Sequence, residues 1–257
     1  MKNSLIILLL LMCSTSIWGQ SDSISKSNSI QVSFGLNQIK EKNLNNKVHS
    51  GISYLLKYDH VKIKRNLSKY NFSFLFSKIK TPYESASNSM NIQLNGNCGY
   101  LFSLKKTKKY DIFLGPNISG NYRLLYFPNW DDSHLYWAND FSLNISNRVN
   151  YSLTTKTSLL FDFDISVLSL FNRPELYRNY KIDDVSVGGI IKNMNSNFNF
   201  GTVNRVFKFH FLTEYQFQIS NKVKQAIIYS FNYNAFNAKE SMPFQNVIHQ
   251  LSFKIYF

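Results

Sequence analysis

The chain has 257 residues, is 44% hydrophobic and 16% aromatic, and carries 29 basic against 15 acidic residues, a formal net charge of +14. Its two cysteines, Cys13 and Cys98, exclude a disulfide-stapled scaffold, because removal of the leader described next leaves Cys98 alone. The basic residues are scattered, and Lys105, Lys106, Lys108 and Lys109 cluster in one expected tight turn, so the charge points to solvated turns and rims rather than a nucleic-acid surface.

Residues 1–19 read as an export signal: Lys2, an apolar run from Leu5 to Met12, then small polar residues up to Gly19. The run is too short for a membrane-spanning helix, and no later apolar run is long enough for one. Cleavage before Gln20 removes one lysine and no acid, so +14 becomes +13. Cys13 raises the alternative of a lipoprotein, but Met12 is bulky where that processing wants a small residue. Residues 20–29, QSDSISKSNS, read as a flexible polar lead-in, and residues 30–257 as one domain.

Beyond the leader the dominant pattern is alternation, the period of a strand with one apolar and one polar face. Phe72, Phe74 and Phe76 alternate with Ser73, Leu75 and Ser77, and Ile92 to Phe102 do so over a longer stretch. In YDIFLGPNISGNYRLLY, every second residue from Tyr110 to Tyr126 shares one face while Asp111, Asn117, Ser119, Asn121 and Arg123 share the other. That stretch is too long for an ordinary soluble sandwich strand and suits a tilted strand that crosses a bilayer. Further on, Phe141, Leu143 and Ile145 oppose Asp140 and Arg148, and Phe161, Phe163 and Ile165 oppose Asp162 and Asp164. Charges at every second position of an apolar strand need somewhere wet to point, which a polar barrel lumen provides.

Short polar turns are expected near Arg65–Ser68, Lys105–Lys108, Arg148–Asn150, Asn193–Ser196 and Asn221–Lys222. Longer segments lie between them: EKNLNNKV, TPYESASNS, FPNWDDSH, FNRPELYRNYKIDD and NAKESMPFQ. The fold class is therefore all-β, an antiparallel up-and-down transmembrane β-barrel of about twelve strands. They are expected at 30–40, 49–62, 69–80, 89–103, 109–126, 135–148, 150–166, 184–192, 197–203, 205–219, 223–236 and 246–257. Ten strands is the alternative, because 184–219 divides in more than one way. Both termini then fall on the short-turn side. A soluble β-protein would show the same alternation with its faces exchanged, so alternation alone does not tell inside from outside.

The signal, the aromatic strands, the unequal connections and a last strand with Leu251, Phe253, Ile255 and terminal Phe257 on one face resemble a Gram-negative outer-membrane β-barrel protein, in composition one from Bacteroidota-type bacteria. The resemblance implies outer-membrane localisation and lipid contact. It also implies that Leu251, Phe253, Ile255 and Phe257 are read by the barrel-assembly machinery after delivery by periplasmic chaperones. It carries no subfamily motif, and neither a cofactor nor a nucleic-acid partner is implied; the expected state is a monomer. His249 departs from the apolar series, at a position suited to an interface.

For function, the expectation is a non-enzymatic barrel, either a narrow pore or a structural or surface accessory protein. Arg123, Asp140, Arg148, Asp162, Asp164, Lys208, His210 and Glu214 are the candidates to line its lumen. The alternative is a lipid hydrolase with His210 as base, Asp162 or Asp164 facing it across the lumen, and a wall serine as nucleophile. Ser133 and His134 in WDDSH are read as a loop tip. A further alternative is a barrel that binds a partner through outer loops rich in Trp, Tyr and Arg. No metal-ligand spacing and no phosphate loop occurs in the sequence; Gly188–Gly189 reads as a bend in a strand.

Overall fold

The computed structural model describes residues 25–41, 47–80, 89–128, 135–174, 186–220, 223–237 and 243–257. The expected signal segment and most of the long connections, FPNWDDSH and FNRPELYRNYKIDD included, lie largely or wholly outside the described residues.

Twelve strands form one antiparallel sheet: β1 (Ser25–Glu41), β2 (Val48–Ile63), β3 (Leu67–Ile79), β4 (Ser89–Lys106), β5 (Tyr110–Tyr126), β6 (Leu135–Trp137), β7 (Asn139–Ser152), β8 (Thr157–Asn172), β9 (Asn199–Thr202), β10 (Val206–Ser220), β11 (Val223–Phe236) and β12 (Phe244–Tyr256). Ten of them close the barrel. The first meets the last along Ser29↔Tyr256 to Glu41↔Phe244, and β8 meets β10 from Thr157↔Phe217 to Ile165↔Phe209. β6 and β9 are short extensions at the long-connection end. β6 continues the ladder of β7 on β5 past Ala138, and β9 takes over from β10 on β8 above Leu168.

The segment expected as a strand at 184–192 is helix α1 (Val187–Met194). Val187, Ile190, Ile191 and Met194 repeat at helical spacing, and the Ser186 hydroxyl accepts the Gly189 N–H as a cap. Asn193–Ser196, expected as a barrel turn, ends that helix. Arg148–Asn150 is likewise strand: β7 runs on to Ser152, and the turn falls at Leu153–Lys156, where Thr154 Oγ1 accepts the N–H groups of Lys156 and Thr157. Polar residues 25–29 of the expected lead-in belong to β1, where pairing with Asp59–Ile63 needs backbone groups and no apolar side chain.

The short turns at 64–66, 107–109 and 153–156 lie at one end, with the β1 start and Phe257, whose backbone exchanges hydrogen bonds with Asn28. The two faces of the wall are unambiguous. Phe34 (58% exposed), Phe72 (56%), Leu56 and Phe253 point outward, while Gln31, Ser33, Ser73, Gln93 and Ser252 are buried inside. This is inverted relative to a soluble barrel, and the outer apolar surface far exceeds the few hundred Å² a soluble monomer exposes. His249 lies outward where β12 pairs Leu36, at the edge of the apolar band, with Nδ1 2.9 Å from Tyr229 OH.

Closure depends on close backbone approach at the seam. A Cβ on Gly35 would stand 1.8 Å from the His249 carbonyl oxygen, whereas one on Gly96, on the outward face of β4, would meet nothing within 4 Å. Gly35→Ala is therefore expected to lower folding stability by about 1–3 kcal/mol and Gly96→Ala to leave it within about 0.5 kcal/mol, as read by urea unfolding of the refolded barrel. Equal midpoints would contradict this account of the seam.

Candidate functional site

Polar side chains on alternate positions of all ten wall strands converge inside the barrel around a cavity of about 530 Å³. It reaches the short-turn end, where Ser25, Ile63, Ser152 and Lys224 line it. Three ionic layers and one large apolar layer stack along its axis, and two smaller apolar clusters, one of Leu67, Leu101 and Phe113 and one of Leu160, Leu212, Ala226 and Ile228, lie beside the ionic ones.

Nearest the short turns, Lys254 Nζ lies 3.1 Å from both Glu214 Oε2 and Asp59 Oδ2, and Lys57 pairs with Asp59 at 3.1 Å. Glu214 also accepts Tyr256 OH and the Gln216 amide, 2.8 Å away. In the middle layer, Lys69 reaches from β3 to the opposite wall, donating to Asp162 Oδ1 (3.0 Å), Asp164 Oδ1 (3.3 Å) and Ser146 Oγ (2.7 Å). Arg148 forks onto Asp162 Oδ2 through Nε (2.9 Å) and Nη2. His210 Nδ1 stands 3.3 Å from Asp164 Oδ2.

In the third layer Lys208 pairs with Asp140, which also accepts the Asn121 amide and the Ser142 hydroxyl. Arg123, fully buried, spans the lumen with Nη2 donating to Asn246 Oδ1 (2.9 Å) and Gln93 Oε1 (3.3 Å), its guanidinium 4.9 Å above the Phe244 ring.

That ring begins the apolar layer. Ile39, Ile79, Leu125, Phe127, Tyr136, Ala138, Phe171, Val206, Phe236 and Phe244 form one cluster, each 1% exposed or less. They come from β1, β3, β5, β6, β8, β10, β11 and β12 and adjoining residues, hence from all around the wall, and they fill the lumen at the long-connection end. Tyr136 OH donates to buried Glu41, and Arg173 lies 3.5 Å from the same carboxylate.

All eight residues proposed from sequence for the lumen point inward, but in separate groups. Arg148, Asp162, Asp164 and His210 meet in the middle layer, Asp140 and Lys208 above, Glu214 below, and Arg123 stands among amides. Sequence reasoning missed Lys57, Asp59, Lys69, Lys254 and Tyr256. Each sits on the polar side of its alternation, Lys69 beside Tyr70 and Lys254 between Phe253 and Ile255, so the signal was present.

The hydrolase alternative is corrected in its geometry. His210 and Asp164 are register partners on adjacent strands, not neighbours across the lumen, and Asp162 belongs to Lys69 and Arg148. The nearby hydroxyls are engaged elsewhere: Ser146 by Lys69, Ser166 with the Val206 carbonyl, Ser142 with Asp140 and Ser169. The layer thus contains a base and an orienting carboxylate, with no serine positioned on the imidazole among the described residues.

No protein-family model matches the chain, and no curated protein matches its sequence. Solved structures do. The outer membrane protease OmpT from Escherichia coli superposes with a TM-score of 0.54 at 7% identity, over 95% of this chain and 99% of that one. The translocator domain of the autotransporter NalP from Neisseria meningitidis gives 0.42 at 6% identity (98% and 94% covered), and Neisserial surface protein A gives 0.36 at 7% (91% and 99%). At such identities the OmpT likeness establishes the fold and nothing finer: this chain is built as an outer-membrane β-barrel.

The middle layer sets a stability test. Asp162→Asn leaves Lys69 with Asp164 alone and strips Arg148 of its paired carboxylate, and is expected to cost about 3–5 kcal/mol in urea unfolding. Asp164→Asn removes a carboxylate whose side chain is 16% exposed, against 6% for Asp162, and is expected to cost less. The reverse order would contradict the assignment of Asp162 as the hub.

Proposed function

We propose that the chain is an integral barrel of a Gram-negative outer membrane that is closed at rest and serves a structural or surface accessory role without enzymatic activity. The observation that carries this is the apolar layer across the long-connection end. Burying each of its large side chains is worth about 1.5–3 kcal/mol, so opening a water path through them costs far more than breaking any one lumen ion pair. On this reading the polar cavity below the layer ends against it, and Asp140, Lys208, Asp162 and Glu214 are framework for the wall rather than a conduction path.

In this proposal the short turns and both ends of the described chain face the periplasm, as in outer-membrane barrels generally, and the long connections face outward as the recognition surface. The N-terminal segment directs export, and the Bacteroidota-like composition fits such an envelope. Periplasmic chaperones deliver the chain, and outward-facing Leu251, Phe253, Ile255 and Phe257 form the edge that the barrel-assembly machinery reads before β12 closes on β1.

Single-channel recording in a planar bilayer tests the closed lumen. The wild-type barrel, checked for heat-modifiable gel mobility, is expected to give no conductance steps, and Tyr136→Ala with Phe236→Ala and Phe244→Ala is expected to introduce them. Steady wild-type conductance would overturn the proposal and restore the narrow pore.

A further inference from the structure

The short-turn end carries a charge pattern that lumen packing does not explain. Lys26 and Lys62 are direct register partners at the β1–β2 edge, both on the outward face, with the polar pair Asn28 and His60 between them and Ile30 and Tyr58 of the apolar band. Like charges directly opposite on one face are mutually destabilising unless an anion lies between them. Lys64 and Arg65 follow in the adjoining turn, exposed.

Asn66 ties that turn to the next strand pair. Its amide donates to Tyr100 OH at 2.9 Å, and its Oδ1 accepts the Ser103 N–H at 3.2 Å. The lysines from 105 to 109 therefore continue the same arc, Lys105 lying 5.3 Å over the Tyr110 ring. Eight exposed or half-exposed cations thus occupy the rim of β1 to β5, and among the described residues of that rim the one acid is half-buried Asp111, opposite Lys106. Apart from Asp111 and Asp22, the acids of the chain lie inside the lumen or in and beside the long connections.

We propose that this collar binds the headgroups of anionic glycerophospholipids in the leaflet that surrounds the short-turn end. Three features select a lipid surface over a soluble partner. The collar borders the apolar band, Lys26 and Lys62 share the outward face of the wall with Ile30 and Tyr58, and the tyrosines beside it, Tyr100 and Tyr110, are suited to the membrane–water boundary. Long lysine stems let the ammonium groups reach headgroups while the methylenes stay against the band. The attraction acts within a Debye length, so it strengthens contact with lipid already at the wall and fades as salt rises.

The inference rests on the membrane-spanning proposal above, and its test separates the two. The refolded full-length barrel is placed in phosphatidylcholine vesicles, and immobilised lipid is counted by electron paramagnetic resonance using spin-labelled phosphatidylglycerol or spin-labelled phosphatidylcholine. Any transmembrane barrel immobilises both; absence of an immobilised component would sink the membrane proposal itself. The wild type is expected to prefer phosphatidylglycerol several-fold, with the preference declining in high salt. The variant K26Q/K62Q/K64Q/R65Q is expected to lose most of the preference while folding normally, whereas K40Q/K78Q at the opposite end keeps it. Equal immobilisation of the two lipids by the wild type, or an undiminished preference in the collar variant, would overturn the proposal and make the collar a candidate surface for an acidic soluble partner.

Discussion

A backbone amide in hydrocarbon has no water to turn to, and each one left unpaired costs several kcal/mol. Pairing of the first strand with the last, from Ser29↔Tyr256 to Glu41↔Phe244, removes the free edge that would otherwise strand a row of such groups. The remaining features follow from that closure. The wall must be continuous, so residues alternate between two environments, and over the middle of the strands phenylalanines and leucines such as Phe34, Leu56, Phe72 and Phe253 fall on the lipid side because they are the side chains that gain there. Glycine at position 35 is where this demand is felt at the seam, since the facing His249 carbonyl leaves no room for a side chain.

The interior then has to be filled by what is left over, the polar half of every strand. A ten-stranded wall leaves a lumen too wide for serines alone, and long charged side chains span it: Lys69 from β3 to β8, Lys254 between β2 and β10, Arg123 from β5 to β12. Lys69, Lys254, Arg148 and Lys208 are each matched by an opposite charge, the condition under which a charge taken from water is tolerated, while Arg123 is met by amides at Nη2 only. The pairing makes the lumen an internal truss. At the long-connection end aromatic rings predominate in place of ion pairs.

The architecture was legible in the sequence because only a strand brings every second residue to the same face, and the Tyr110–Tyr126 stretch alone required a strand of membrane length. Which face turned outward was not legible, since exchange of the two environments leaves the alternation unchanged; the exposed Phe34 and buried Gln31 decide it. The strand number was blurred where short-range signals conflict. Val187–Met194 has the β-branched and glycine content of a strand and the spacing of a helix, and the Ser186 cap tips it. The lumen residues are recognisable as polar-face positions, but their partners depend on strand register, which a sequence does not display. His210 could therefore be matched across the barrel when its neighbour is Asp164 on the adjacent strand.

The break at Val203–Arg205, where β9 yields to β10 along β8, divides the wall into a lower part with fixed pairing and an upper part that is added on. The circumference of a barrel is set by strand number and stagger, and both are fixed below the break. The described residues from Ser186 to Arg205, including α1, therefore hang on a position that can be lengthened, shortened or exchanged without altering the girth of the cylinder. Variation in what the molecule presents to its surroundings is in this way decoupled from the geometry that keeps it in the membrane.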